Sequence, residues 1–333
     1  MSRSIDYAAH PIYDLLCPIE VQAMLSFTKG KPIALICGGH YDKRLLRLTE
    51  DQAEPDRKVE EEDIFDLLGP EDLLRDEAGT RKTLRTIDQR KLERAIRMHQ
   101  APIDEHLISS YARATAKLQH QLKKEFSTDS GTLVMLPDPA SERVYIAGKS
   151  GSGKSCLAAL YMNEYLRMFP DRRVYLVSRH EDEKTYAAVP HEVVPLETFE
   201  EAEKGERVFE LEELANSLVV FDDCDNVQNK KITEGVKMLS DDLISNGRKY
   251  GIYVLTLQHQ LMNYKETRNI LNEVQRVVFF NTATNYHTGR FLKMYAGLDP
   301  KQVKRVHDIK SRWTMIDMGV PRHVIHQNGA FIL

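Results

Sequence analysis

The sequence has no long apolar run and no regular cysteine spacing. Its longest apolar run spans residues 32–37, whereas a helix needs about 20 apolar residues to cross a bilayer, so no membrane span is predicted. The first 14 residues contain no apolar core segment, so no signal peptide is predicted either. No C-x-x-C pair occurs, which argues against structural zinc or a disulfide framework and favours reduced, buried thiols in a soluble, intracellular protein. The four cysteines are Cys17, Cys37, Cys156 and Cys224.

The chain also lacks a strong overall charge, because its formal net charge is only −4. The charges are nevertheless segregated along the sequence. Residues 50–77 carry 13 acids and 3 bases, residues 81–126 carry 11 bases and 5 acids, and residues 247–333 carry 13 bases and 5 acids. A nucleic-acid partner is therefore permitted locally but is not demanded by the whole chain.

A length of 333 residues predicts about two domains, and a loop-like composition places the boundary near residue 128. Residues 1–128 are predicted to be mainly helical, apart from a strand at 32–37. An acidic run at 60–63 should begin a short helix, and apolar spacing at 80–100 and 103–126 predicts a basic helical hairpin. Its charges form either a solvated face or a nucleic-acid contact. The role of this region is open.

The region 129–333 contains a glycine-rich octet between an apolar strand, 144–147, and a helical pattern. The octet matches G-x-x-x-x-G-K-[ST], in which backbone N–H groups at a helix N-terminus surround phosphates. Lys154 is predicted to lie against the β- and γ-phosphates and the Ser155 hydroxyl to bind Mg²⁺. The predicted ATP-binding residues are Gly148, Lys149, Ser150, Gly151, Ser152, Gly153, Lys154, Ser155 and Cys156.

A second motif is a buried strand at 217–221 that ends in two acids. Four apolar residues followed by an acid are typical of the Mg²⁺-associated strand of phosphate-loop ATPases, so Asp222 is predicted to orient a metal-bound water. Asp223 is predicted to polarise the attacking water, with Glu181 and Glu183 as the next candidates for that role. The plainer alternative for Asp223 is a loop cap.

A third motif follows a helix that carries Ile232, Val236, Leu239 and Leu243 on one face and is expected to stop at Asn246-Gly247. The next strand ends at Gln258, whose amide suits sensing of the γ-phosphate. Arg248 precedes that strand and could reach the nucleotide of a neighbouring subunit, or form only a surface salt bridge. Lys265 and Arg268 are candidate DNA contacts.

The remaining pattern predicts a fifth core strand at 274–281, helices at 286–295 and 302–309, and a terminal β-hairpin. The hairpin pairs residues 313–318 with 323–326 and turns at 319–321. Strands at 132–136 and 174–178 are predicted as well. Together these elements predict an α/β fold with a parallel sheet.

The motifs GKSGSGKS, LVVFDDCDN and NGRKYGIYVLTLQHQ make residues 143–297 similar to the FtsK–HerA superfamily of DNA pumps. The nearest resemblance is to the poxvirus-type genome-packaging ATPases of large DNA viruses. It implies a P-loop NTPase fold of the RecA-like additional-strand type, with sheet order 5-1-4-3-2. It also implies ATP and Mg²⁺ as cofactors, a hexameric or pentameric ring around double-stranded DNA, and a capsid or portal-vertex protein as a docking partner. The implied sites of action are the host-cell assembly site and the virion.

Four functions remain in competition. The first is a translocase that packages a viral genome, and the second is a cellular DNA pump for segregation, conjugation or end processing. A small-molecule phosphotransferase is disfavoured, because no arginine-rich lid follows the Asp222 strand. A nucleotide-gated binding protein with little turnover stays open, because Asp223 stands where Glu is the usual residue.

Overall fold

The structure of the protein is a computed structural model that describes residues 23–49, 74–75, 81–82, 124–128, 130–179, 183–201, 207–224, 227–262, 267–280 and 285–333. Its strands are β1 (Met24–Ser26), β2 (Lys31–Cys37), β3 (Leu45–Thr49), β4 (Leu74–Arg75), β5 (Arg81–Lys82), β6 (Glu125–Ser127), β7 (Thr132–Met135), β8 (Arg143–Ala147), β9 (Arg173–Ser178), β10 (Glu192–Pro195), β11 (Ser217–Asp222), β12 (Tyr253–Gln258), β13 (Arg276–Phe280), β14 (Trp313–Asp317), β15 (His323–His326) and β16 (Gly329–Ile332). Its α-helices are α1 (Lys154–Met168), α2 (Thr198–Glu201), α3 (Lys230–Asn246), α4 (Arg268–Glu273), α5 (Asn285–Met294) and α6 (Pro300–His307), and a 3₁₀ helix spans Gly247–Tyr250.

The main sheet has ten strands in the order β10-β9-β11-β12-β8-β13-β14-β15-β16-β6. The first six of these strands are parallel to one another. When β8, β9, β11, β12 and β13 are numbered one to five along the chain, their order across the sheet is 5-1-4-3-2. The predicted fold class and strand order are therefore confirmed, with β12 between β8 and β11 as expected. The sequence did not predict β10, which extends the parallel edge beyond β9.

The parallel strands are buried on both faces because helices cover both sides of the sheet. On β11, Leu218 and Val220 pack into the core that contains α1, whereas Val219 and Phe221 pack into the core that contains α3. This alternation is the period-two pattern of a strand. Because Leu218 is fully buried, Leu218→Ala should cost about 2–5 kcal/mol of stability.

The two long helices place apolar side chains against the sheet. The predicted inward face of α3 is confirmed, and Asn229 caps that helix by accepting a hydrogen bond from the Lys231 N–H at 3.0 Å. On α1, Leu160 is 46% exposed and does not belong to the core. The expected stop at Asn246-Gly247 is confirmed, because α3 ends at Asn246 with Gly247 as its C-cap residue. Gly247 keeps a right-handed φ of −57°, and the left-handed residue is Gly251, with φ +69°, at the end of the 3₁₀ helix.

The N-terminal region contributes a second sheet, in the antiparallel order β1-β3-β2-β7. Its apolar face, which includes Ile33, Ile36 and Leu133, shares one core with Leu157 of α1. The predicted strands at 32–37 and 132–136 are thus confirmed. The two predicted strands lie in the same small sheet because β2 pairs with β7.

The prediction that residues 1–128 are mainly helical is wrong for the described residues of that region. Apart from Lys124, they form strands, turns and loops. Residues 81–82 belong to β5 rather than to a helix at 80–100, and residues 125–127 belong to β6 rather than to the end of a helix at 103–126. Cross-strand hydrogen bonds satisfy these backbone groups. The rest of both helices and the acidic run at 60–63 lie outside the described residues.

The C-terminal extension is a three-stranded antiparallel meander rather than a hairpin. The expected β14–β15 pair is present, but β16 follows, pairs with β15, and pairs on its other side with β6. The β6–β16 and β2–β7 pairs both cross residue 128. The division into domains at 1–128 and 129–333 stays a prediction.

A buried ionic cluster ties β13 to β14 and to the start of β8. The Arg276 guanidinium lies 3.0 Å from Asp317 and 3.2 Å from Glu142, and Tyr161 of α1 donates to Glu142 at 2.5 Å. Burial alone lowers the pKa of Arg276, but the two carboxylates outweigh it and raise that pKa. Removing Arg276 would leave two buried carboxylates without their cation, at a cost of about 3–5 kcal/mol.

None of the helices in the described parts of the chain combines the length and apolar character needed to span a membrane.

Candidate nucleotide site

The glycine-rich loop connects β8 to α1 at the carboxyl edge of the parallel strands. Gly151 and Gly153 have φ values of +72° and +107°, which favour glycine over residues with a side chain. A Cβ atom on Gly148 would lie 2.7 Å from Ser152 Oγ and 2.8 Å from Phe280 Cδ2. The loop can adopt this turn only because these three positions lack side chains.

The loop ends at the N-terminus of α1, whose first turn contains no acidic side chain. The partial positive charge of the helix N-terminus is thus not neutralised within that turn, which favours an anion there. Lys154 is buried and donates to the carbonyl oxygens of Gly148 at 3.0 Å and Lys149 at 3.4 Å. Its ammonium group is therefore held inside the turn, where phosphate oxygens would meet it.

Asp222 lies at the end of β11, opposite the first turn of α1. The Ser155 hydroxyl donates to Asp222 Oδ2 at 3.0 Å, and the Tyr186 hydroxyl donates to the same oxygen at 2.6 Å. Asp222 has 0% exposure, and its Oδ1 has no hydrogen-bond partner among the described residues. Burial raises the pKa of Asp222, and the two donated hydrogen bonds act in the opposite direction. Burial and the nearby carboxylate also raise the pKa of Tyr186 above its usual range.

The Ser155–Asp222 pair fits a magnesium ion. Hydroxyl and carboxylate oxygens are the ligands that Mg²⁺ prefers, and it usually keeps several waters. Asp222 Oδ1 is a buried acceptor that one of those waters could satisfy. Elsewhere in the described residues, no group of three or more His, Cys, Asp or Glu side chains forms a metal-type cluster.

Asp223 follows immediately and turns away from the strand, with φ +53°. Aspartate tolerates this left-handed conformation better than most residues. Its carboxylate is part-exposed, and Oδ1 lies 3.8 Å from Nε2 of His259, the residue after β12. The structure therefore brings an acid and a histidine together beside the loop, and the sequence motifs had not singled out His259.

A cavity of about 460 Å³ opens next to the loop, within the size range of small-molecule sites. Lys149 and Ser150 line one side, His259 lines another, and Phe280 and His287 supply aromatic surface. Gln258 instead borders a second cavity of about 260 Å³, with Cys224 and Thr256 beneath α3. The Gln258 backbone carbonyl accepts from Gly148 N–H at 3.0 Å, so Gln258 contacts the loop through its main chain.

Arg248 lies at the amino end of the parallel strands, opposite the end that carries the glycine-rich loop. It is exposed in the 3₁₀ helix before β12, and its carbonyl accepts a 3.5 Å hydrogen bond from Ser141, which precedes β8. A six-residue strand such as β12 spans roughly 20 Å. Arg248 is thus not brought to the glycine-rich loop of its own chain.

The other predicted site residues are scattered around the loop or lie outside the described residues. Cys156 is exposed on the first turn of α1, and Cys37 is exposed as well, so the expectation of buried thiols is wrong for both. Glu183 accepts the Tyr186 N–H through its carbonyl at 3.0 Å. Glu181, Lys265 and the side chain of Arg268 lie outside the described residues.

Arg312 was also missed by sequence reasoning. Its Nε donates to the carbonyl of Ser152 at 3.0 Å, and a Cβ on Gly153 would lie 2.8 Å from its Nη2. Arg312 precedes β14 and Tyr186 lies between β9 and β10, so neither belongs to a local motif. Their positions follow from tertiary packing.

A parallel core of order 5-1-4-3-2 and a glycine-rich loop between its first strand and α1 define a P-loop NTPase fold. "Uncharacterized protein V3" of Sputnik virophage is 34% identical over 211 residues, which cover 62% of this chain and 84% of V3. The chain therefore belongs to the same protein family as V3. A scan against protein-family models finds no match.

Similar solved structures include the genome packaging NTPase B204 from Sulfolobus turreted icosahedral virus 2 in complex with ATP-gammaS. It is 14% identical with a TM-score of 0.38 and covers 58% of this chain and 96% of B204. The pCW3 conjugation coupling protein TcpA with ATPgS is 18% identical with a TM-score of 0.38, over 58% of this chain and 60% of TcpA. Because both scores are low, the fold assignment rests on strand order and on the loop.

Proposed function

We propose that this protein is an ATP-driven translocase of double-stranded DNA that packages a viral genome. ATP and Mg²⁺ are its cofactors, and a homo-oligomeric ring, hexameric or pentameric, is its working form. A capsid or portal-vertex protein is the proposed docking partner, and the proposed sites of action are the host-cell assembly site and the virion.

The observation that carries the ATPase proposal is the meeting of Ser155 and Asp222 at 3.0 Å beside the loop. A hydroxyl on the first helical turn and a carboxylate at the end of a neighbouring strand are the pair by which P-loop NTPases hold Mg²⁺. Lys154 lies in the same loop with its ammonium directed at loop carbonyls. These groups need little rearrangement to accept a nucleotide.

Binding of ATP would place its phosphates in the turn, where the loop N–H groups and Lys154 donate to phosphate oxygens. Lys154 exchanges its bonds to the Gly148 and Lys149 carbonyls for bonds to the β- and γ-phosphates. Ser155 and, through water, Asp222 would hold Mg²⁺. The bound ion would supply positive charge that offsets the negative charge of the phosphates.

Hydrolysis requires a water in line with the γ-phosphate. His259 lines the loop cavity, and its Nε2 lies 3.8 Å from Asp223 Oδ1. In our proposal Asp223 accepts a hydrogen bond from that water, and His259 restrains the carboxylate. The water oxygen forms the new bond to the γ-phosphorus while the bond to the ADP oxygen breaks, and the proton of the water passes to Asp223 and then to solvent. Arg248, at the amino end of the parallel strands, would act on the nucleotide site of a neighbouring subunit.

Coupling to DNA is supported by the chain's resemblance to DNA pumps over residues 143–297, which includes the run NGRKYGIYVLTLQHQ. The viral assignment is supported by kinship with a virophage protein. A translocase must release each DNA phosphate that it binds, so DNA binding should be electrostatic and independent of base sequence. Its affinity should fall steeply with salt because counterions are released.

The test measures ATP turnover of the full chain with and without double-stranded DNA, for wild type, Lys154→Ala and Lys301→Ala. Lys301 is an exposed lysine on α6 and controls for loss of one positive charge. We expect DNA to stimulate wild type, Lys301→Ala to match it, and Lys154→Ala to lose roughly 10² to 10³ in turnover with an unchanged melting temperature.

Three results would contradict the proposal in distinguishable ways. A folded Lys154→Ala protein with normal turnover would exclude the loop as the active site. Turnover that ignores DNA, together with salt-independent or sequence-selective binding, would exclude the translocase. Nucleotide binding with negligible turnover under all conditions would favour a nucleotide-gated binding protein, the alternative that Asp223 leaves open.

A further inference from the structure

Tyr186 contacts the carboxylate that is proposed to help hold Mg²⁺. It lies in the turn between β9 and β10 and is fully buried, with its hydroxyl 2.6 Å from Asp222 Oδ2. Its backbone is fixed on both sides, because its N–H donates to the Glu183 carbonyl at 3.0 Å and its carbonyl accepts the Val189 N–H at 2.9 Å. The ring also belongs to the core shared with α1.

The two oxygens of Asp222 have different surroundings. Oδ2 accepts two hydrogen bonds, from Ser155 and from Tyr186, whereas Oδ1 has none from the described residues. A fully buried carboxylate needs donors to replace the water it has lost. Ser155 can supply only one hydrogen, and its oxygen is also the proposed metal ligand. Tyr186 is the second donor, and its single hydroxyl hydrogen goes to Asp222 Oδ2.

We infer that Tyr186 is a positioning residue for the metal site: it fixes the Asp222 carboxylate through Oδ2 so that Oδ1 is presented to a water of the bound Mg²⁺. This inference rests on the proposed nucleotide site and adds a residue to it. In this inference Tyr186 acts through Asp222 and not on the nucleotide directly. Its effect should therefore appear in every step that depends on the metal and in no step that is independent of it.

The experiment is equilibrium binding of ATPγS to the full chain, in Mg²⁺ and in EDTA, for wild type and Tyr186→Phe. Loss of one hydrogen bond to a charged acceptor should weaken binding roughly tenfold in Mg²⁺, with no change in EDTA. In turnover assays the apparent KM for Mg²⁺ should rise by a similar factor, while kcat at saturating Mg²⁺ falls much less.

Tyr161→Phe is the matched control, because Tyr161 is equally buried and donates at 2.5 Å to another buried carboxylate, that of Glu142. It should lower the melting temperature without changing the ratio of Mg²⁺ to EDTA affinities. In an Asp222→Asn background, Tyr186→Phe should have no further effect on Mg²⁺ dependence. If Tyr186→Phe does not fold, Tyr186→His, which keeps a ring donor, is measured in the same way.

Several outcomes would overturn the inference. Equal affinity of wild type and Tyr186→Phe in Mg²⁺ would show that the hydroxyl does not matter. Tighter binding by the variant would mean that Tyr186 obstructs the metal, and equal weakening in Mg²⁺ and EDTA would mean a purely structural role. If wild type itself binds no ATPγS, the proposed nucleotide site fails, which is a different result from failure of the Tyr186 inference alone.

Discussion

Arg312 Nε donates a 3.0 Å hydrogen bond to the carbonyl of Ser152, across 160 residues of sequence. This bond joins the C-terminal meander to the peptide just before the first turn of α1. The Ser152 carbonyl belongs to the peptide unit whose N–H is that of Gly153. Arg312 can therefore restrain the orientation of one of the amides that would bind phosphate.

We predict that Arg312→Ala raises the KM for ATP about fivefold, the effect of losing one exposed hydrogen bond, with little change in kcat. Arg305→Ala is the matched control, because Arg305 is an exposed arginine on α6 that pairs with Glu125 at 2.7 Å instead. Steady-state kinetics of both variants test the prediction. An Arg312→Ala protein with the wild-type KM would show that the loop is held without it.

Substitutions of the adjacent residues Asp222 and Asp223 should impair different steps. Asp222→Asn should impair Mg²⁺-dependent nucleotide binding, because it replaces the buried acceptor beside Ser155. Asp223→Asn should leave binding intact and slow hydrolysis by roughly 10² to 10⁴. Binding and single-turnover hydrolysis are measured separately, with exposed Asp308→Asn as a control. Hydrolysis by Asp223→Asn at the wild-type rate would place the base elsewhere, with Glu181 and Glu183 next to be tested.

Arg248 is predicted to act on a neighbouring subunit, because it lies at the amino end of the parallel strands, far from the loop of its own chain. Arginine fingers contribute roughly 10³ to 10⁵ in rate, so Arg248→Ala rings should be nearly inactive. Mixing Arg248→Ala with Lys154→Ala subunits should restore activity where an intact loop meets an intact arginine. Lys249→Ala, in the same 3₁₀ helix, should behave as wild type.

Two results would remove the inter-subunit mechanism. One is full activity of the Arg248→Ala protein alone, which would leave Arg248 as a surface residue. The other is a mixture no more active than its parents when subunit exchange has been verified by an independent measurement.

We predict that the folded protein loses stability in mild acid because of His326. Burial lowers the pKa of His326 to about 4, against about 6.5 in an unfolded chain. Between these values the unfolded chain takes up a proton that the folded chain does not, so stability is full above pH 6.5 and falls as the pH drops toward 4. Burial also lowers the pKa of His323, which adds to the same slope.

Urea midpoints at pH 7 and pH 5 measure this effect. His326→Gln should reduce the difference between the two midpoints, whereas His40→Gln, at an exposed position of the N-terminal region, should leave it unchanged. A His326→Gln protein with the full wild-type pH dependence would show that other groups cause the acid sensitivity.

The sequence by itself determined the parts of this protein that are local along the chain. A phosphate loop is made of contiguous backbone amides, glycines and the helix that follows, so Gly148 to Ser155 could be recognised without any structure. The five core parallel strands were equally visible, because burial on both faces requires uninterrupted apolar runs such as 217–221. The parallel edge strand β10 was not predicted. The strand order was predicted from the resemblance that these motifs carry.

Tertiary structure alone decided what surrounds the loop. Tyr186 reaches Asp222 across 36 residues and Arg312 reaches Ser152 across 160, and periodicity carries no information about such contacts because it records only which face of one element is buried. The N-terminal strands other than β2 escaped prediction for a related reason. A strand is stabilised by partners distant in sequence, as β6 is by β16, whereas a helix satisfies its hydrogen bonds within its own segment.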